Sequence, residues 1–405
     1  MIKIGINASF LRKQNTGIGQ VTINFLKKFI EISNLAYRQA GLKSQIPNME
    51  VILYLEEDVD FELPENFIKK VFLPVWKRDD LIRKILWEMF SLPAQIKKDE
   101  CDVLLSLYQC PTVLRSLLRN KTKTKHLMIV HDIIPRIFPA YLNNWRKKVY
   151  QYLSERAIRR VDKIIAVSHR TEKDLIQHLE IEASKISVAY IDVDEIYKEK
   201  LSEESKSLML EKYKLKPGYI LNGGGLEVRK NTENVLRAYK ILLESYGRAS
   251  WLPKLVISGK LMPELAPLVC DAESLVKGLG LENDVVLLGY VQQEDLPALY
   301  HNASVFVYPS LYEGFGLPVL EAMNQAVPVI TAKTSSLPEV GADCVLYCDP
   351  QDVDDLAMVI KNVLMNNHLQ AALSIKGFER AKHFSWDKFI EKIINIIRQE
   401  VGNRN

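Results

Sequence analysis

The chain is short of cysteine, of long apolar runs and of net charge, and each shortage excludes a class of protein. Its five cysteines (101, 110, 270, 344 and 348) are odd in number and lack metal-ligand spacing. Free thiols in a reducing cytoplasm are the simplest reading. Cys344 and Cys348 stand four apart, but no His or Cys partners accompany them to suggest a metal or redox centre. No apolar stretch reaches the roughly 18 residues of a spanning helix. The start, Met1-Ile2-Lys3-Ile4-Gly5-Ile6-Asn7, reads as a first strand and not as a signal peptide. What remains is an ordinary soluble composition, 47% apolar and 26% charged over 405 residues. That length is more than one core usually serves, so two domains are expected.

The net charge of +4 conceals a local imbalance. Between Arg115 and Lys163 thirteen Lys/Arg face three Asp/Glu (Asp132, Glu155, Asp162). Such a surplus suits phosphates, nucleic acid or an anionic membrane surface, or is simply a solvated basic face.

The order of elements is that of a doubly wound α/β protein. Ile2–Asn7 is followed by Asn15-Thr16-Gly17-Ile18-Gly19-Gln20 and then an apolar pattern at helical spacing. Strand, glycine loop, helix is the opening of a nucleotide-binding domain, though the loop lacks a full GxGxxG and is either a phosphate cradle or a tight turn. Met49–Leu55, Val71–Pro74, Asp102–Ser106, His126–Val130, Lys163–Ser168 and Ile186–Tyr190 read as further strands. Asp79–Met89 reads as an amphipathic helix whose apolar stripe faces the core, with a membrane anchor as the alternative, and Tyr141–Arg160 as a long basic helix. Thr171-Glu172-Lys173-Asp174 has the spacing of a helix cap. His131-Asp132 stands at a strand's carboxyl end, where ligands bind in such sheets, unless it is a structural hydrogen-bonded pair. Asp192-Val193-Asp194 mimics the metal motif of some sugar transferases, without other carboxylates to converge on an ion. Glu195–Lys216 reads as a helical hinge.

A second series repeats the logic. Tyr219–Asn222 runs into Gly223-Gly224-Gly225, and Leu226-Glu227-Val228-Arg229-Lys230-Asn231 leads into a helix over Glu233–Glu244. Two cations just before a helix start oppose the helix dipole. An anion bound between them removes the conflict, which favours a diphosphate site over a solvated loop. Leu255–Gly259, Val285–Tyr290, Ser304–Pro309, Val327–Thr331 and Cys344–Tyr347 are strands, with helices over Leu296–His301, Asp352–Leu364, Leu369–His383 and Lys388–Val401. Between Ser304–Pro309 and the next helix lies Ser310-Leu311-Tyr312-Glu313-Gly314-Phe315-Gly316-Leu317-Pro318-Val319-Leu320-Glu321-Ala322-Met323. It places Glu313 on a strand-to-helix loop and Glu321 in the first turns of a helix whose start suits a phosphate. Taken alone, the two carboxylates either bind sugar hydroxyls or are solvated.

With these residues in hand, the chain resembles a retaining glycosyltransferase of the GT-B fold, family 4, over nearly its whole length. The resemblance is carried by Glu313-x7-Glu321, by Gly224 through Asn231, by His131-Asp132 and by Thr16-Gly17-Ile18-Gly19. It implies two facing Rossmann-like domains. Residues 1–195 form an acceptor-side domain, joined by a terminal helix at about 385–405, and residues 196–384 a nucleotide-sugar domain. Glu321 would bind the ribose hydroxyls and Glu313 the transferred sugar. Lys230 with Arg229 would neutralise the diphosphate leaving group. Gly224, Gly225, Gly314, Phe315, Gly316 and Leu317 would line the donor, Gly17 would approach the phosphate, and His131 with Asp132 would lie toward the sugar and acceptor. No metal or other cofactor is expected, because lysine, arginine and helix ends take the charge.

One departure stands out: many family members carry arginine where this chain has Gly225, so Arg229 must supply that charge or the leaving-group site is weaker. The His131–Pro135 and Ser335–Val340 segments look most like members that use mannose or rhamnose donors, which points to GDP-mannose; UDP- or dTDP-sugars are the alternative. The expected partners are a nucleotide-sugar and a saccharide or lipid-diphosphate-linked acceptor. The place would be the cytoplasm, at the inner membrane face where the basic stretch could meet anionic lipid. A non-catalytic nucleotide-sugar or glycan-binding subunit is the rival reading. Nucleic acid is not expected, since no recognisable binding motif is present.

Overall fold

The structure is a computed structural model that describes residues 2–14, 16–38, 49–59, 63–64, 67–72, 80–114, 123–247, 249 and 251–402. Asn15, the Leu73-Pro74 end of the expected third strand, Asp79 and residues 115–122 of the basic stretch lie outside these. The chain divides into two units, residues 1–191 with 385–405, and residues 192–384.

The first unit is built on seven parallel strands: β1 (Ile2–Asn7), β2 (Met49–Leu55), β3 (Phe67–Val71), β4 (Val103–Ser106), β5 (Lys125–Val130), β6 (Lys163–Ala166) and β7 (Ile186–Val188). Their order is β3-β2-β1-β4-β5-β6-β7. Ile4 pairs with Val51 on one side and Val103 on the other. Central strands of a parallel sheet are covered on both faces, which is why they read as unbroken apolar runs. β3 lies upstream of the expected Val71–Pro74. Its sequence, Phe-Ile-Lys-Lys-Val, is an exposed edge whose charges hid it from a hydrophobic reading.

Three other expectations shift. The helix expected to end at Met89 runs over Asp80–Leu86, widens into a π turn at Trp87–Ser91 and continues over Leu92–Lys98. The basic helix is confined to Trp145–Ile158, capped by Asn144, whose side chain accepts from Lys147 N–H at 3.0 Å. The helix expected to be capped at Thr171 instead covers His169–Leu179, with Ser168 as its cap. The final helix, Trp386–Gly402, returns to the first unit. Phe389 meets Phe25 edge-on at 6.2 Å, and Lys28 and Lys125 pair with Asp387 and Glu400 at 3.2 Å each.

The second unit holds six parallel strands: β8 (Tyr219–Asn222), β9 (Leu255–Ser258), β10 (Val285–Gly289), β11 (Ala303–Tyr308), β12 (Val329–Ala332) and β13 (Leu346–Cys348), ordered β10-β9-β8-β11-β12-β13. Strand order reverses between β8 and β11, as it does between β1 and β4 in the first unit. At such a switch point the connections leave in opposite directions and open a crevice at the carboxyl ends of the strands. Both β8 and β11 deliver their loops there.

Asp192-Val193-Asp194 opens this unit as a structural turn. Asp192 is buried and pairs with Lys198 at 2.5 Å, and Asp194 accepts from Ile196 N–H at 3.1 Å. Among the described residues no group of three or more His, Cys, Asp or Glu is placed to hold a metal. No described helix is long and apolar enough to cross a membrane.

Candidate active site

The β8 and β11 loops meet on one carboxylate oxygen. After β8 the chain turns through Gly224 (φ +86°) and Gly225 (φ +105°). It then makes a single tight turn, Val228–Lys230, and enters the helix Thr232–Tyr246. Asn231 sits left-handed between turn and helix, and its side chain donates to the carbonyls of Pro309 (3.2 Å) and Pro350 (2.7 Å). This fixes the β8 loop against the end of β11. Lys230 and Arg229 then reach Glu313 Oε1, at 2.8 and 2.7 Å. Tyr308 and Ser310 hydroxyls donate to the same oxygen at 2.7 and 2.8 Å, and Lys230 also donates to Tyr308. None of these contacts uses Oε2.

Glu313 is 7% exposed and Lys230 5% exposed, so this is an interior ion cluster and not a surface pair. Burial by itself would raise the Glu313 carboxyl. Lys230 and then Arg229 outweigh that and bring it down to about 2. Burial pulls the Lys230 ammonium below its usual range, and Glu313 opposes without cancelling. The loop carrying Glu313 is held from behind: its N–H donates to Ser335 Oγ at 2.9 Å, and Ser336 donates to the carbonyls of Glu313 and Phe315 at 2.9 and 2.7 Å. The hydroxyls expected from the Ser335–Val340 segment thus support the loop.

Gly316 (φ +116°) then starts the helix Leu317–Asn324, with Pro318 in its first turn. Glu321 is the fifth residue of that helix, half-buried, and accepts from the Tyr300 hydroxyl at 2.8 Å. Burial is the main influence on its carboxyl and pushes it up to about 7, against the hydrogen bond from Tyr300. The two glutamates therefore differ in kind: one held as an anion among cations, the other poised near neutrality. Phe315 packs its ring on Phe384 at 5.8 Å and is buried, so its side chain belongs to the core. Gly314 is buried, and Leu317 half-buried, beside it.

The backbone bears on the missing arginine. At φ +105° Gly225 lies where L side chains are strained, while Arg229 already stands on Glu313. In the first unit, Gly17 begins the helix Gly17–Arg38, is exposed, and a Cβ there would meet nothing within 4 Å. Gly19 differs: its Cβ would lie 2.0 Å from the Lys13 carbonyl oxygen. The glycine that the fold requires is Gly19, and Gly17 has no internal reason to lack a side chain. His131 is buried at the end of β5 with Nε2 2.9 Å from the Leu107 carbonyl. A carbonyl only accepts, so Nε2 carries the proton. Burial, the larger influence, lowers the ring's pKa and keeps it neutral. Asp132 takes the Ile134 N–H at 2.9 Å, shaping the turn after the strand.

Sequence reasoning did not single out Tyr300, Tyr308 and Ser310 as partners of the two glutamates. It also missed a buried cluster in the first unit. There Glu88 accepts from the hydroxyls of Tyr108 and Tyr150, and Lys84 lies 3.9 Å away over the rings of Phe10 and Tyr108. The Lys84–Glu88 spacing of four, across the join between the helix Asp80–Leu86 and the π turn Trp87–Ser91, was the available signal.

Comparison with known proteins follows the same division. The description "Glycosyltransferase Family 4" matches residues 47–195, and "Glycosyl transferases group 1" matches residues 206–380. The O-antigen chain mannosyltransferase B of Escherichia coli is 34% identical over 267 residues, which cover 65% of this chain and 68% of that one. The O-antigen chain mannosyltransferase RfbU of Salmonella typhimurium is 26% identical over 366 residues, covering 88% and 90%. Among solved structures, a sucrose-phosphate synthase from Thermosynechococcus elongatus superposes with a TM-score of 0.71 at 18% identity, covering 98% of this chain and 99% of that one. Anabaena Alr3699/HepE in complex with UDP and glucose does so with a TM-score of 0.70 at 17% identity, covering 98% and 100%. At such identity these two speak for the fold. Sequence kinship, paired domains and doubled switch-point sheets agree: the chain belongs to the family 4, group 1 glycosyltransferases, as a mannosyltransferase-like enzyme of the two-domain GT-B fold.

Proposed function

We propose that this enzyme transfers mannose, with retention of anomeric configuration and without a metal, from GDP-mannose to a saccharide acceptor in surface-polysaccharide synthesis. The acceptor in this reading is carried on a lipid diphosphate, which brings the enzyme to a membrane. The observation that carries the reading is the convergence of Lys230, Arg229, Tyr308 and Ser310 on Glu313 Oε1 at the sheet's switch point. Departure of a nucleoside diphosphate builds negative charge on its β-phosphate. Cations already fixed in place favour that state over the ground state and need no reorganisation. Lys230 and Arg229 serve that role, Glu313 holds them and orients the sugar, and Glu321 receives the ribose hydroxyls. Retention follows if the acceptor hydroxyl attacks from the face that the diphosphate leaves, with a phosphate oxygen taking its proton. The mannosyltransferase names of the relatives support the sugar.

The test is donor-dependent thermal stabilisation across GDP-, UDP- and dTDP-sugars, since a specific ligand raises stability by mass action. GDP-mannose is expected to give the largest shift. A larger shift with a UDP- or dTDP-sugar would overturn the donor assignment. Nuclear magnetic resonance of the product's anomeric centre checks retention, and turnover unchanged by EDTA checks metal independence.

A further inference from the structure

Glu88 is a buried carboxylate that the proposed reaction does not use. It is 0% exposed and lies in the π turn Trp87–Ser91, which follows the helix Asp80–Leu86. A π turn inserts a residue into the helical ladder, and such turns gather at functional sites. The carboxylate accepts from Tyr108, which follows β4, and from Tyr150 at 3.2 Å, while the Lys84 ammonium lies 3.9 Å away. The one proton of the Tyr108 hydroxyl goes to Glu88. Ser9 Oγ at 2.6 Å and Asn7 Nδ2 at 3.3 Å, from the end of β1 and the turn after it, therefore donate to its oxygen. The neighbours of Tyr108 in sequence hold His131. The Leu107 carbonyl accepts from His131 Nε2 at 2.9 Å, and Gln109 Oε1 accepts the His131 N–H at 3.3 Å. Gln109 Nε2 also donates to the Asp132 carbonyl at 3.3 Å. Three consecutive residues thus meet Glu88 at their centre and His131 at both ends, where the strand order of the first sheet reverses.

We infer that Glu88 is a positioning residue for glycosyl transfer: acting through Tyr108, it fixes the loop after β4 that orients the His131 ring. The inference rests on His131 lying toward the sugar and acceptor, as the family resemblance implies. Scaffolding alone does not call for this arrangement. A buried pair such as Lys84–Glu88 gives no more stability than apolar side chains of similar volume, because both charges lose their hydration. Apolar side chains, however, cannot hold a hydroxyl in one direction. A satisfied buried network can, because its members restrain one another. The Tyr108 ring is itself packed edge-on against Phe10, with centroids 4.3 Å apart, so its hydroxyl has little freedom once Glu88 accepts from it.

The test separates direction from stability. Lys84→Met with Glu88→Leu removes the pair at similar volume and should leave Tm near that of wild type. It should lower kcat about 10²-fold, the order of loss that a small misplacement of a group at the reacting centre brings. Lys84→Met with Glu88→Gln returns an oxygen that Tyr108 can reach, and should restore most of that loss. Tyr108→Phe deletes the hydroxyl alone and should lower kcat as the first variant does; it carries the same test if the paired variant fails to fold. Tyr150→Phe removes the other hydroxyl on Glu88 without touching the β4 loop, and should keep wild-type turnover. Turnover is read as nucleotide release from the donor that stabilises the wild type most in the panel above. The second readout needs no substrate: the His131 Nε2–H resonance of protein carrying isotope-labelled histidine, assigned by its loss in His131→Gln. It should shift and exchange faster with water in Lys84→Met with Glu88→Leu and in Tyr108→Phe, and stay in place in Tyr150→Phe. A resonance unmoved in Tyr108→Phe overturns the proposal. So does a kcat that falls equally in Tyr150→Phe, or that Glu88→Gln fails to restore. Failure of the donor or acceptor reading leaves the resonance unaffected, so the two failures are told apart.

Discussion

Glu321→Gln should stabilise the protein at pH 8 while weakening its grip on the donor. The Glu321 carboxyl rises from its ordinary 4.5 to about 7 because burial disfavours its charge. The folded state therefore holds a proton that the unfolded state releases near 4.5. Stability from this group is full below the unfolded pKa and is lost as pH rises through the folded one. A rise from 4.5 to about 7 corresponds to roughly 3 kcal/mol in the limit, most of it lost between pH 5 and pH 8. Glutamine keeps the shape without the titration. The stability difference between variant and wild type, from urea unfolding followed by circular dichroism, should therefore move by roughly 2–3 kcal/mol in the variant's favour between pH 5 and pH 8. Donor binding should go the other way. Loss of a charge-assisted pair of hydrogen bonds to ribose costs about 1.5–3 kcal/mol by calorimetry at pH 8. Wild-type affinity should tighten as pH rises through about 7, when the carboxylate forms. A pH-independent stability difference would refute the perturbed carboxyl, and unchanged donor affinity would refute the ribose role.

Lys230→Ala should lower kcat by about 10²-fold or more, as loss of a preorganised charge-stabilising group does; steady-state kinetics with unchanged turnover would remove it from the mechanism. Gly19→Ala should lower Tm by several degrees because its Cβ would lie 2.0 Å from a carbonyl oxygen. Gly17→Ala should leave Tm unchanged and raise the donor KM, and the reverse pattern would show the roles exchanged. Gly225→Arg, which restores the residue many family members carry, should destabilise by about 1–3 kcal/mol through its positive φ, read from thermal unfolding, without raising turnover.

Much of this was legible beforehand, for definite reasons. The buried strands announced themselves because parallel sheets covered on both faces demand continuous apolar runs, as in Ile4–Ile6 or Val305–Val307. β3 did not, because its Lys69 and Lys70 serve an edge. The Asp192–Asp194 look-alike already lacked converging carboxylates in the sequence, and the local turn that sets Lys198 on Asp192 shows what the pair does instead.

The sequence by itself determined the α/β class, the two-domain division and the positions of the Glu313–Glu321 and Arg229–Lys230 pairs, because these depend on local periodicity and on residues close along the chain. Tertiary structure alone decided what each charge faces. Residues 83 and 84 positions apart meet when β8 and β11 lie side by side, which places both cations on one oxygen of Glu313. Burial then separates two chemically identical carboxyls. Glu313, surrounded by cations, is held at about 2, and Glu321, half-buried against tyrosine without a paired cation among its described hydrogen bonds, rises to about 7. Spacing fixes which groups are near a site, but the free energy of their charged forms depends on solvent exclusion and on partners from distant strands.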